Sequence, residues 1–393
     1  MNTFKQIGAV VSMSLQSLPQ RWGTSSVIVI GMAGVVGVLL GLLAMVTGFE
    51  KTLAATGRDD RAIVLRGGSD SELASTLSRE NALTILDAPG VHRNAAGKSI
   101  GSTDVVVIVD LPKISNDAGA NVTIRGVGPL NIAVRPEIRV IEGRMFRPGL
   151  REIIVGKGAQ QQFKGLGLGQ KIELRASDWT VVGTFESGGD SHESELLGDA
   201  ETVLSAYGRN VYQSVIALLD SPASFDAFKK ALTSNPQLTV DVKREREYYA
   251  EQSKSLSWLK IVAYVVGTIM AIGALFGALN TMYSAVSTRS REIATLRAIG
   301  FGGTPVVVSV MLEALLLSII GAAIGTALAW LFFNGNAIST LGGNFTQVVF
   351  QLTVTPGLVV LGVMWACLIG LIGGLFPAIR AARLPVATAL RAM

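Results

Sequence analysis

Charge is scarce in this 393-residue chain: Asp, Glu, Lys and Arg make up 16% of it, against about 25% in an average soluble domain. Hydrophobic residues make up 49%. The deficit excludes an ordinary soluble enzyme and points to a membrane protein. Cysteine occurs once, at Cys367, so the polar middle of the chain has no disulfide and must be held by its own core. Histidine occurs twice, at His92 and His192, whereas a zinc site usually needs three or four ligands from His, Cys and carboxylate. "GGDSHESE", Gly188 to Glu195, reads as an exposed glycine-rich loop rather than a metal site. No Ser/His/Asp or Cys/His set has its partners on one side of a membrane, so no catalytic residue is assigned. "AAGKSIGS" ends like a phosphate-binding loop, but the glycine required five residues before Gly97 is His92. The chain is not expected to hydrolyse ATP, and it carries no cofactor of its own.

No acidic or basic residue lies between Arg21 and Glu50, between Lys260 and Arg289, or between Glu313 and Arg380. A bilayer core takes roughly 20 apolar residues in helix, and four stretches meet that length. They are assigned as transmembrane helices 24–48, 257–286, 304–333 and 355–379. The first is too long for a cleaved signal peptide and reads as a retained anchor. Lys5 and Arg21, then Arg289, Arg291 and Arg297, then Arg380, Arg383 and Arg391 flank the spans on one side. The positive-inside rule puts those flanks and both termini in the cytoplasm, and these arginines account for the net charge of +5 without nucleic-acid binding. Residues 49–256 then form a large extracytoplasmic domain, and 334–354 a short extracytoplasmic loop. The fold class is thus a four-helix membrane protein with an α+β domain between its first and second spans.

Within 49–256, strands are expected from Ala62, Asp104, Asn121, Glu152, Lys171, Trp179 and Ser214, each opening a β-branched apolar run. Helices are expected over Ser71 to Asp87, Ser224 to Thr233, and Lys243 to Trp258, the last running unbroken into the second span. Residues 1–23 hold Phe4, Ile7, Val11, Leu15 and Leu18 at helical spacing. They suit an amphipathic helix on the inner membrane surface, or a cytoplasmic extension of the first span. Gly37 and Gly41, Gly273 and Gly277, and two further pairs recur four apart in the spans. Such spacing lets helices approach closely, within the bundle or against a second copy, although the abundance of glycine also produces it. Glu313 is the sole acid inside a span, close enough to the cytosolic edge to meet Arg297, and reads as a structural ion pair rather than a proton relay.

Segment 287–303 contains "STRSREIATLRAIGFG". As a helix it places Ile293, Leu296 and Ile299 on one face, with Arg291 and Arg297 on others, and Gly300 to Gly303 end it. That pattern suits docking into a groove on a cytosolic partner, or a plain positive-inside loop. "STRSREIATLRAIGFGGTPV" resembles the motif after the second span of FtsX-like permeases in ABC transporters, and "GGLFPAIRAARLPVATALR" resembles their closing motif. Val140 to Glu186 is similar to the MacB-type periplasmic core. The resemblance implies a permease without a fused ATPase, in a bacterial inner membrane, working as a dimer with a second permease copy, identical or paralogous. ATP and Mg would sit on a separate cytosolic ABC ATPase, which Arg289, Arg291, Glu292, Ile293, Leu296, Arg297 and Ile299 would contact. The implied function is export by mechanical transmission, with a periplasmic adaptor and an outer-membrane channel. Lipoprotein release and a non-transporting transducer that regulates a cell-wall hydrolase are the alternatives.

Overall fold

The computed structural model describes residues 3–17, 22–175, 177–254, 257–341 and 347–383. In chain order it begins with helices α1 (Thr3–Ser17) and α2 (Trp22–Ala55). Then come β1 (Arg61–Arg66), α3 (Arg79–Leu86), β2 (Gly101–Pro112), β3 (Gly119–Val127), α4 (Asn131–Val134), β4 (Arg139–Gly143) and β5 (Glu152–Gly156). After α5 (Lys157–Gln162) follow β6 (Lys171–Glu173), β7 (Asp178–Glu186), β8 (Leu196–Asp199), α6 (Ala200–Ala206), β9 (Ser214–Leu218), α7 (Phe225–Thr233) and β10 (Val240–Arg244). The chain continues through α8 (Glu245–Ser253), α9 (Ser257–Thr288), α10 (Ser290–Ala298) and α11 (Gly303–Phe333). It closes with β11 (Ala337–Leu341), β12 (Gln347–Gln351) and α12 (Pro356–Ala382).

These elements form two compact units. One comprises residues 1–47, 258–336 and 352–393, the other 48–257 and 337–351. In the helical unit, α2, α9, α11 and α12 carry apolar stretches long enough to cross a membrane. Their close approach is set by small residues. A Cβ on Gly321 would meet Met32 and the Val29 carbonyl at 2.6 and 2.7 Å, and one on Gly325 would meet the Ala33 carbonyl at 2.5 Å. Gly41 faces the Phe333 ring and Gly37 lies in ordinary contact range of Gly325, whereas Gly273 and Gly277 have nothing within 4 Å. Close contact inside the described bundle therefore falls on Gly321 and Gly325 against α2 and on Gly370 and Gly374 against Ser318 and Ala314 of α11. Helix α1 packs on α11, with Val10 buried and the Ser309 hydroxyl donating to the Val10 carbonyl at 3.5 Å. Phe4 and Leu15 side chains and residues 18–21, including Arg21, lie outside the described residues, as do residues 384–393 with Arg391.

The sheet-bearing unit is built on the order β10-β1-β9-β2-β3-β8-β5-β7-β4, with β6 paired to β7. Pairs β3/β8 and β5/β7 are parallel and the others antiparallel. Its core gathers Val64, Val107, Ile124, Ile153, Trp179 and Phe228, all under 5% exposed. The strand runs named from sequence all form strands. Strands β4, β8 and β10 were not foreseen, because "RVIEG", "LLGD" and "VDVKR" are short or heavily charged. Two helix assignments change. Ser71 to Asp87 is not one helix: a 3-10 turn covers Glu72–Ala74, and α3 starts at Arg79, where the Ser78 hydroxyl caps it by accepting the Asn81 N–H at 3.1 Å. Lys243 belongs to β10, paired with Ile63, so α8 starts only at Glu245. Its continuity with α9 falls on residues 255 and 256, outside the described residues. The segment read as a loop after α11 instead holds an antiparallel hairpin, Ala337 opposite Gln351, whose strands belong to the sheet-bearing unit.

Candidate functional site

Helix α10 is short, and both its ends are fixed to the helical unit. At its start, Arg289 breaks from α9 and its guanidinium donates to Glu313 on α11 at 3.0 Å and to Glu292 at 3.3 Å. The Arg289 and Glu313 side chains are 12% and 6% exposed. Glu313 is therefore ion-paired within the bundle, with Arg289 in the place that sequence spacing gave to Arg297. Arg297 instead donates to the carbonyl of Ala382, at the last turn of α12, at 2.5 Å. A guanidinium on a helix C-terminus is favoured by the partial negative charge there. Gly300, at φ +99°, turns the chain out of α10 in a conformation that a side chain disfavours.

The faces of α10 divide differently from the sequence expectation. Ile293 and Ala294 are buried, Ile293 in the cluster with Val286, Val306 and Val310, so Ile293 is not part of an exposed apolar stripe. Leu296 is half-buried, Ile299 is 69% exposed, and Arg291 and Glu292 are exposed. A cleft of about 500 Å³ runs between α1, α10 and α11, lined by Val10, Met13, Leu296 and Arg291 among others. Gln6 on α1 accepts the Gly302 N–H at 3.4 Å, so the N-terminal helix helps shape this face. Val10 and Gln6 carry no sequence signal for that role beyond helical periodicity.

In the sheet-bearing unit, "GGDSHESE" is not a solvated loop. Asp190, Ser191, His192, Ser194 and Glu195 are each under 9% exposed, and Ser191–Ser194 is a 3-10 turn. It lies beside a buried ionic network. Arg125 donates to both oxygens of Glu72 at 2.8 and 2.9 Å and to both oxygens of Glu195 at 2.7 and 2.9 Å. Arg135 bridges Asp104 at 2.9 Å and Glu245 at 3.2 Å, and Arg61 joins Glu245 at 2.7 Å and Glu137 at 2.6 Å. Arg61, Arg125, Arg135, Glu72, Asp104 and Glu245 are all 2% exposed or less. Sequence reading missed the network because buried charges survive only where partners distant in sequence converge.

The Arg125 guanidinium also reaches Asp104 at 3.4 Å, and its two nearest carboxylates respond in opposite directions. Burial acts to raise Glu72, but Arg125 and the Ser214 hydroxyl outweigh it and hold the carboxyl below its usual range. At Glu195 burial prevails over Arg125, and the charge of Glu72 adds to it, so that carboxyl is raised. Burial pushes Asp190 up to about 8 despite hydrogen bonds from the Ser187 hydroxyl and the His192 N–H. Burial and then Arg135, Arg125 and Arg61 hold His192 well below its ordinary value, so its imidazole is neutral. Among the described residues no three His, Cys, Asp or Glu side chains are placed to hold a metal ion.

Comparison with known proteins places both units. The family model for the MacB-like periplasmic core domain matches residues 24–235, and that for the FtsX-like permease C-terminal region matches 264–386. Similar curated proteins include the macrolide export ATP-binding/permease protein MacB of Bdellovibrio bacteriovorus, 24% identical over 93% of this chain and 58% of the relative. That of Campylobacter jejuni is 26% identical over 92% of this chain and 57% of the relative. The chain thus spans somewhat over half the length of these relatives. Among solved structures, the periplasmic region of MacB from Actinobacillus actinomycetemcomitans aligns with 52% of this chain and 93% of its own at 12% identity, with a TM-score of 0.36. The extracellular domain of the transporter YknZ from Gram-positive bacteria aligns with 47% of this chain and 99% of its own at 17% identity, also with a TM-score of 0.36. With the core-domain model alone matching more than half of the residues, the chain belongs to the MacB-type, FtsX-like family of ABC transporter permeases.

Proposed function

We propose that this chain is the permease subunit of an ABC-type exporter, in which α10 docks on a cytosolic ATPase that binds ATP and Mg. The observation that carries the reading is the double anchoring of α10, through Arg289 to Glu313 and through Arg297 to Ala382, while Arg291, Glu292 and Ile299 face outward. A load on that outer face passes into α11 and α12 rather than into a flexible loop. On this reading α2, α9, α11 and α12 span the inner membrane, both termini are cytoplasmic, and a second permease copy completes the complex. The sheet-bearing unit lies in the periplasm, where efflux would engage an adaptor and an outer-membrane channel.

The test is to purify the protein in mild detergent from its native membrane and to assay vanadate-sensitive ATPase activity in the preparation. Leu296→Asp places a carboxylate in the α10 cleft, and Ile299→Asp places one on the exposed face. Both variants should fold and lose at least tenfold of the associated activity, about 1.4 kcal/mol of docking energy. Unchanged activity in both would sink the docking assignment.

A further inference from the structure

The chain enters or leaves the sheet-bearing unit at four points, after Thr47, Ser257, Asn336 and Gln351. Three arms follow inside that unit: the last turns of α2, helix α8, and the hairpin β11–β12. Three residues of the 3-10 turn Ser191–Ser194 meet all three. The Thr56 hydroxyl, one residue past α2, accepts the Ser191 N–H at 3.0 Å and lies 3.1 Å from the Ser191 hydroxyl and 2.9 Å from the Thr52 carbonyl, which share its one proton. The His192 ring lies 5.8 Å from the ring of Tyr249 on α8. The Ser194 hydroxyl accepts the Val349 N–H of β12 at 2.8 Å. The next residue, Glu195, is bound by Arg125 in the centre of the sheet.

The arms are also packed to fixed distances around this turn. Phe350 of β12 meets Phe49 of α2 edge to face at 5.5 Å. Gly48 gives no room for a Cβ, which would sit 2.2 Å from the Gln351 carbonyl, and Gly156 leaves none against the Glu193 carbonyl, also at 2.2 Å. Helix α8 is held by Glu245, 0% exposed, between Arg61 and Arg135. A chamber of about 50 Å³ remains where the three arms meet, bordered by Leu53, Tyr249, Gln252 and Val348.

We infer that the turn Ser191–Ser194 is the junction that links displacement of the three arms to one another and to β8 and β3, with Thr56, Ser191 and Ser194 as positioning residues. The inference rests on the coupling reading above and extends it to the sheet-bearing unit. Contacts spread over separate parts of the unit would let each arm shift independently. Gathered on three residues of one short turn that leads through Glu195 into β8, they shift together with that strand.

The experiment uses the full chain with its ATPase, reconstituted in nanodiscs, and compares hydrogen exchange in the nucleotide-free and vanadate-trapped states. Thr56→Val keeps the side-chain shape and removes the hydroxyl, Ser194→Ala removes the acceptor for Val349, and Thr56→Ser keeps the hydroxyl. In the parent and in Thr56→Ser, nucleotide should change exchange both in α10 and in β3 and β8. In Thr56→Val and Ser194→Ala the α10 response should persist and the β3 and β8 response should be lost, with the slowest amides of the nucleotide-free state unchanged. A β3 and β8 response that survives in both variants overturns the junction and leaves the coupling reading standing. Loss in Thr56→Ser equal to that in Thr56→Val also overturns it, since the hydroxyl would not be the link. Absence of any α10 response in the parent removes both readings.

Discussion

Arg125→Met tests whether the buried network holds the sheet-bearing unit together. Arg125 makes five charge-assisted hydrogen bonds, two to Glu72 and two to Glu195 between 2.7 and 2.9 Å and a longer one to Asp104 at 3.4 Å. The methionine fills much of the space but leaves both carboxylates without their cation in a region where Glu72 is 1% exposed. Removing one partner of a buried ion pair costs about 3–5 kcal/mol. Glu195, already raised by burial and by its neighbour's charge, is the carboxyl that takes up a proton, which holds the loss near the lower end. The assay is native-state hydrogen exchange of the slowest amides of β3 and β8 in the full chain, because these report opening of the core. Protection should fall roughly 100- to 700-fold, and the loss should be smaller at pH 5 than at pH 8. Adding Glu72→Gln and Glu195→Gln removes the stranded charges and should recover at least half of the lost protection free energy. A fall of less than about tenfold, or a triple variant no better than the single one, would refute the claim that the network is held by charge pairing.

Two further outcomes follow from the same geometry. Asp190 has a folded value of about 8 against an ordinary 3.8, so the native state holds its proton over that window. Its contribution is complete below the ordinary value and is lost as pH rises through about 8, at a slope of at most about 1.4 kcal/mol per pH unit. Asp190→Asn should flatten the decline in stability of the sheet-bearing unit between pH 4 and 8; an unchanged slope in urea titrations would contradict the protonated state. Glu313→Gln removes the acceptor charge for Arg289 and should destabilise the helical unit by about 2 kcal/mol. Thermal unfolding in detergent reads the loss, and an unchanged midpoint would show that the pair contributes no net stability.

The helices were legible because charge is so scarce in this chain that any cluster of it marks a boundary. Arg289, Arg291 and Arg297 stand between two runs without an acid or base, and that contrast locates α10 without any knowledge of its partners. The same logic failed in the sheet-bearing unit, where charge is common and its meaning depends on burial. Arg125 lies in "NVTIRGV", an ordinary strand with one arginine, and its partners Glu72 and Glu195 are 53 and 70 residues away. Periodicity reports which face of a strand is apolar, but not which arginine on that face will find two acids. "SHES" misled for a related reason. Four small or polar residues after Gly-Gly-Asp fit an exposed turn by local chemistry, and the contacts that bury them come from Thr56, Tyr249 and Val349, far apart in sequence. The hairpin Ala337–Gln351 was unreadable on similar grounds, since its strands are too short to stand alone and form against Phe49 and Ser194. Local pattern thus identifies the segments that lipid must solvate, where one physical requirement dominates. It does not identify the polar turn on which the arms converge, because that turn is defined by its partners.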